Sequence, residues 1–342
     1  MSSPVSPATV QDGAQPPTGS PPAAAEESRF GLLVLCGALT ALLLLAGPLR
    51  DLFDRPALAT ASTVFVSIVV QALPFLVFGV LLSASITTFV PQSWFKKALP
   101  GRPAAAVPVA GIAGAVLPGC ECASVPVAAS LIRRGVPAAA ALAFLLSAPA
   151  INPVVLTATA VAFPNAPEMV FARFLASLLV AVVMGWLWLR FGKADMLERV
   201  HRRATNTDSG RAAAFVGSVR HDLLHTGGFL VIGGITAATL NVVVPREWLD
   251  AVADNPVFSV VCLALLAVIL AICSEADAFV AASLTQFSLT ARLAFLVVGP
   301  TVDVKLIALQ AGTFGRRFAM WFAPTTFVLA IGAAVLVSWV VL

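Results

Sequence analysis

The stretch PGCECASVPVAASLIRRGVPAAAALAFLLSAPAINPV, Pro118–Val154, decides the fold. It lies inside long apolar runs, yet it holds Pro118, Gly119, Cys120, Glu121, Cys122, Ser124, Pro126, Ser147, Pro149, Asn152 and Pro153. Proline removes a backbone donor and collides with the preceding turn. The freed carbonyls need partners that lipid cannot supply, so such breaks persist only where protein or a water-filled cavity covers them. The stretch therefore predicts two broken helices meeting at mid-membrane depth, where transporters build their substrate sites.

A second stretch echoes the first. Ile272–Lys305 reads ICSEADAFVAASLTQFSLTARLAFLVVGPTVDVK. VAASL recurs at Val127 and Val280, and Ala143-Phe144-Leu145 recurs at Ala294-Phe295-Leu296. In this register Cys120 falls on Cys273, Cys122 on Glu275, Ser124 on Asp277, Pro149 on Pro300 and Asn152 on Asp303. Matches at polar and apolar positions alike indicate an internal repeat. The helices before the two stretches match as well: FLVFG from Phe75 aligns with FLVIG from Phe229.

Composition fits this reading. The 342 residues are 59% hydrophobic and 11% charged, too little polar surface for a soluble protein of this length. Recurrent apolar runs of about twenty residues indicate a multi-span membrane protein. The net charge of +4 sits mostly in loops and reads as topology bias, with no nucleic-acid partner implied. Five cysteines, three of them at the breaks, do not form a secreted disulfide pattern.

The expected fold is all-α and polytopic, with eight or nine transmembrane helices. Residues 1–29 read as a disordered tail and 30–53 as an extra span, with Cys36 a packing residue within it. Residues 60–190 form the first repeat, 191–218 a basic loop and 219–342 the second repeat. Each repeat is read as four spans with breaks near Pro118–Gly119, Pro149–Pro153, Cys273–Asp277 and Gly299–Pro300. Gln71 and Pro74 are expected to interrupt the span at about 60–90, and Gly79 and Ser83 to give it a small-residue face. Four crossings per repeat preserve orientation, giving a pseudo-twofold axis along the membrane normal. Re-entrant hairpins at the breaks would change the count and permit inverted repeats. Placing the 191–218 loop inside puts Arg50, Arg55, Arg133, Arg134 and Arg292 there too, and leaves Lys96, Lys97, Arg102, Arg246, Arg316 and Arg317 outside.

The breaks carry the chemistry. Cys120 and Cys122 diverge on a regular helix but can converge at an unwound Pro-Gly turn. With Cys273 they make a set of three soft ligands suited to soft metals and metalloids. Ser124, Ser147 and Asn152 are further candidates for substrate contact. Glu121, Glu275, Asp277, Asp303 and Lys305 are ionisable residues within apolar segments. Each costs about 2.5–3.5 kcal/mol at a helix centre, so such groups face cavities and pair with one another. Lys305 with Asp303 is the expected ion pair. Glu275 and Asp277 have no equally near cation in sequence, so one of them is expected to carry a proton. Cys262, and His221 with His225, read as structural. No nucleotide-binding, haem or zinc-protease motif occurs, so no enzyme activity, resident metal or cofactor is expected. The expected partners are a small-molecule substrate and the lipid bilayer, and a homo-oligomer is compatible with the reading.

PGCECASVPVAASLIRRGVPAAAALAFLLSAPAINPV, with the later CSEADAFVAAS and GPTVDVK, resembles the predicted-permease family that includes the organoarsenical efflux permeases (ArsP-like). The resemblance covers roughly residues 60–340. It implies an inner-membrane permease working without ATP and, for some members, export of trivalent organoarsenicals through cysteine thiols. Carried over by motif, it implicates Cys120, Cys122 and Cys273, with Glu275, Asp277 and Asp303 as the acidic set. The alternative of a different class is a membrane-embedded thiol redox or metal-handling protein working with a partner.

Overall fold

A computed structural model describes residues 56–91, 94, 99–116, 120–197, 200, 211–243 and 255–342. The expected tail, the extra span at 30–53 and Cys36 lie outside them. The described residues from Ala59 onward belong to one compact unit. No strand occurs among them.

The first helix, α1, runs unbroken over Pro56–Phe89 with Pro74 inside it. The expected interruption at Gln71 and Pro74 does not occur. The expected small-residue face does pack closely: a Cβ on Gly79 would stand 2.5 Å from the Cα of Ala123. Helix α2 covers Pro103–Ala113 and tightens into a 3-10 turn at Gly114–Val116. Helix α3 follows at Glu121–Arg133, α4 at Ala138–Ile151, α5 at Pro153–Ala162 and α6 at Glu168–Phe191. The second half gives α7 at Arg211–Val243, α8 at Pro256–Leu270, α9 at Asp277–Ser283, α10 at Leu289–Thr301, α11 at Val304–Thr313 and α12 at Arg316–Val341.

Local sequence explains the starts. Pro153 and Pro256 occupy first-turn positions, where the missing N–H costs nothing. Asn152, Asn255, Ser288 and Asp303 cap α5, α8, α10 and α11 by accepting from backbone amides. The breaks at the ends of α4 and α10 are therefore capped restarts. Pro149 and Pro300 lie inside α4 and α10, which continue to Ile151 and Thr301. The later break falls at Val302–Asp303, two residues beyond the expected Gly299–Pro300, because the capping carboxylate starts the next helix. The expected break at Pro118–Gly119 lies outside the described residues, and α3 begins directly after it with Cys120 as its cap residue.

Six helical stretches are long and apolar enough to cross a membrane: Leu58–Phe89, Ala138–Ala162, Glu168–Phe191, Phe215–Leu240, Leu289–Thr313 and Arg316–Val341. These six lie among the described residues, where eight crossings are expected from the two repeats, and the two that are missing fold back. Gly114 abuts Ser147 and Ala148, while Gly185 faces both Val107 and Ala139. Two such pairings, in the same order along both chains, make α2 parallel to α4. Helix α3 turns into α4 through Gly135, at φ +84, with the Val136 amide donating to Leu131 O, and packs along it. It is therefore antiparallel to α4 and to α2. The pair α2–α3 is a re-entrant hairpin with its tip at Cys120, and its 11- and 13-residue arms span only about half a hydrocarbon core of roughly 30 Å.

The second hairpin is α8–α9. A Cβ on Gly299 would lie 3.9 Å from Ala267 and 3.7 Å from the Asp277 carboxylate, so both arms meet α10 at one level. Helix α8 packs along α10, and α9 ends at Ser283, just before α10 starts at Leu289. The tip, Ala271–Ala276, is non-helical, and Ala271 at its start is left-handed at φ 48, ψ 41. For a residue with a Cβ that conformation costs about 1–2 kcal/mol. The single broken crossings favoured by the sequence thus give way to hairpins at both of these sites. The remaining breaks, at Asn152 and at Val302–Asp303, lie within full crossings.

Candidate functional site

Both hairpin tips and the α10–α11 break deliver their polar side chains to one buried place. Cys120 caps α3, Glu121 and Cys122 open it, and all three are buried. Cys273 comes from the other tip. The Cys120 thiol interacts with those of both Cys122 and Cys273. Ligand atoms of Cys120, Glu121 and Cys273 all lie within 4.8 Å of one another, and the Cys273 thiol donates to Glu121 Oε1 at 4.0 Å. The geometry thus brings together the three cysteines singled out from the repeat. Cys262 is a half-buried thiol in α8, away from both tips in sequence.

Lys305 completes the cluster. Its Nζ lies 2.5 Å from Glu121 Oε1 and 3.6 Å from Asp303 Oδ2. The expected Lys305–Asp303 pair is thus the longer of two contacts, and the nearer partner comes from the opposite half of the chain. Asp303 spends its other oxygen on the Leu306 amide, at 2.5 Å, and so holds the start of α11. A Cβ on Gly233 would stand 2.7 Å from the Lys305 Cα, so α7 presses directly on this point.

Asp277 corrects an expectation. It was read as lacking a cation, but Arg173 of α6 grips it with Nη1–Oδ1 at 2.9 Å and Nη2–Oδ2 at 2.8 Å. Arg173 is fully buried and donates also to Thr159 Oγ1 and to the Ser274 carbonyl. Sequence reasoning missed Arg173. The signal was present, because it is the one basic residue within the apolar run Met169–Leu189. An arginine there must find an acid or a wet cavity. Glu275 is half-buried, and its Oε2 is buried without a hydrogen-bond partner among the described residues.

Ser124, Ser147 and Asn152 are engaged locally. Ser124 donates to Glu121 O, and Ser147 to Phe144 O. Asn152 accepts from the Val155 amide and donates to Ala148 O. Around the tips, Glu121 Oε2, Asp303 Oδ2 and Ser274 Oγ are also buried without a hydrogen-bond partner among the described residues. Unmet polar atoms at this density mark a place built to receive water or a ligand. Soft thiols, a carboxylate and an ammonium in one buried spot can hold a thiophilic solute and neutralise the charge changes that accompany its binding.

Comparison with known proteins points to a membrane permease. A family model described as predicted permease matches residues 57–339. A UPF0718 protein, YcgR, of Bacillus subtilis is 34% identical over 283 residues, covering 81% of this chain and 96% of that protein. A Streptococcus mutans protein named for a two-component membrane permease complex subunit is 32% identical over 275 residues, covering 78% of this chain and 91% of its own. No solved structure matches.

Proposed function

Because the chain belongs to the predicted permease family, a family of multi-pass membrane proteins, we propose that it moves a small thiophilic solute through the site at its two hairpin tips. The observation that carries this reading is the convergence of Cys120, Cys122 and Cys273 from two separate tips onto one buried point. A soft metalloid is the substrate class those sulfurs suit, and efflux of a trivalent organoarsenical is the specific case the resemblance implies. A neutral trivalent hydroxide exchanges hydroxyls for thiolates, and each thiol proton leaves with a hydroxyl as water. A soft cation displaces the thiol protons instead, and Glu121, which accepts from the Cys273 thiol, stands there to take them.

The proton gradient is the proposed driving force, with Glu275 as carrier now that Asp277 is tied to Arg173. Alternating access follows from topology. Three candidate crossings and one hairpin in each half support halves, 60–190 and 219–342, that face opposite ways across the membrane. This replaces the parallel arrangement favoured by the sequence, and it sharpens the orientation. Among the described residues, Arg102, Arg133, Arg134, Lys193, Arg316 and Arg317 fall on one side, against Arg292 on the other. That excess supports a cytoplasmic location for the side that holds Lys193.

The test is flux into sealed vesicles of phenylarsine oxide, a neutral trivalent arsenical, by wild type and by Cys120→Ser and Cys273→Ser. Serine keeps the size and removes the soft sulfur, so both variants are expected to lose flux while remaining folded. Full transport by both sinks the thiol site. The closeness of the thiols also favours a second reading, a reversible disulfide that passes electrons to a partner. Thiol oxidation coupled to a partner, with no flux in vesicles, selects that reading.

A further inference from the structure

A cavity of about 660 Å³ lies between α1 and the second hairpin tip, with Thr63, Ser67 and Gln71 on one wall and Leu270, Ala271 and Ile272 on the other. Ala276 also lines it, so its lining brackets Cys273–Glu275 along the chain. Gln71 lies near the middle of the 34-residue α1. Neither Ser67 nor Gln71 makes a side-chain hydrogen bond among the described residues. A hydroxyl there can turn to a carbonyl of its own helix, as those of Ser62 and Thr63 do, but the unpartnered Gln71 amide at that depth requires water beside it, since lipid offers nothing. The wall is therefore wet although it lies in an apolar segment. None of the residues lining the cavity is charged.

We propose that this cavity is the vestibule through which solute reaches the thiol site, and that it admits a compact, uncharged, partly apolar solute. The inference rests on the proposed site at the hairpin tips and adds the route and the charge selection. A hydrated ion entering here would shed water against Val64, Ile68, Leu270 and Ile272 and meet no counter-charge. A neutral solute lays its apolar part on that wall and its polar head on the Ser67 and Gln71 side. The volume suits a small organic molecule. Charged groups appear only at and beyond the tip, first Glu275 and then Glu121 with Lys305. Selection against charge thus precedes selection by sulfur. Ala271 stands at the junction, and its left-handed backbone turns the chain from the vestibule wall toward the site.

The experiment introduces Ser67→Cys, and Leu73→Cys as a control that is exposed on α1 but outside the cavity. Thiols react as thiolates, which need water, so a lipid-facing cysteine is inert. Over the wild-type background, N-ethylmaleimide should label Ser67→Cys at least about tenfold faster than Leu73→Cys. A maleimide carrying a trimethylammonium group should label Ser67→Cys at least about tenfold more slowly than N-ethylmaleimide, because the wall offers no counter-charge. Labelled Ser67→Cys should lose phenylarsine oxide flux. A Ser67→Cys thiol as slow as Leu73→Cys overturns the vestibule even if Cys120→Ser abolishes transport. Equal labelling by the cationic reagent overturns the charge selection, and unchanged flux after labelling overturns the route. Labelling as expected together with full transport by Cys120→Ser leaves the vestibule standing and removes only the thiol site.

Discussion

Replacing Arg173 by methionine isolates one interaction whose cost can be worked from the structure. The side chain is fully buried and makes two charged hydrogen bonds to Asp277, at 2.8 and 2.9 Å, plus one each to Thr159 and the Ser274 carbonyl. Methionine fills much of the volume but leaves Asp277, itself 2% exposed, without its cation. Removing one partner of a buried pair costs about 3–5 kcal/mol, mostly because the other charge is stranded. At roughly 2–4 °C per kcal/mol, the midpoint of thermal unfolding in detergent should fall by about 6–20 °C. Adding Asp277→Leu removes the stranded charge, and an apolar replacement of a whole buried pair is often neutral or better. The double variant should therefore recover most of the loss, with a coupling energy of at least about 2 kcal/mol in the four-member cycle. A coupling below about 0.5 kcal/mol would show that Arg173 and Asp277 do not hold each other, and would refute the packing of α6 against the second hairpin tip.

Four further outcomes are expected. Cys262→Ser should transport phenylarsine oxide like wild type while Cys120→Ser and Cys273→Ser do not, and equal losses in all three would indicate general damage. Glu275→Gln should weaken the response of flux to a protonophore, and an unchanged response would remove Glu275 as the proton carrier. Gly79→Val should destabilise by roughly 1–3 kcal/mol, because a Cβ there already meets Ala123 at 2.5 Å, and a normal melting midpoint would contradict that approach of α1 to α3. Arg102→Cys and Gly135→Cys, at the two ends of the α2–α3 hairpin, should both label from the cytoplasmic face and Asn165→Cys from the other, so labelling of Arg102→Cys and Gly135→Cys from opposite faces would overturn the hairpin topology.

Much of the site was legible because a duplicated motif shows its polar positions twice. The repeat drew attention to Cys120, Cys122 and Cys273, and the structure brings their thiols together. Asn152 and Asp303 were legible as polar positions at the breaks, and the structure shows that both also cap the helices that follow. Three matters were not. Proline was over-read as a break at two places: Pro74 and Pro300 sit inside continuing helices, where neighbouring protein tolerates the lost hydrogen bond. Direction was hidden, because an apolar stretch of 11–15 residues looks alike whether the chain crosses or returns. Arg173 lay outside the repeated motif, and only three-dimensional packing sets it against Asp277. The nearest acid in sequence also misled for Lys305, whose closer partner, Glu121, is 184 residues away.

The ion pairs at the tips cross between halves, and this limits how the chain can be divided. Glu121 and Arg173 come from the first half, and their partners Lys305 and Asp277 from the second. A cut in the segment 192–210 would yield two pieces in which Glu121, Arg173 and Asp277 lose their counter-charges and Lys305 keeps only its longer contact, to Asp303. Two copies of either piece would set unmatched charges against each other, so neither can replace its complement by pairing with itself. The two pieces should be recovered only when made together, and each should be degraded when made alone.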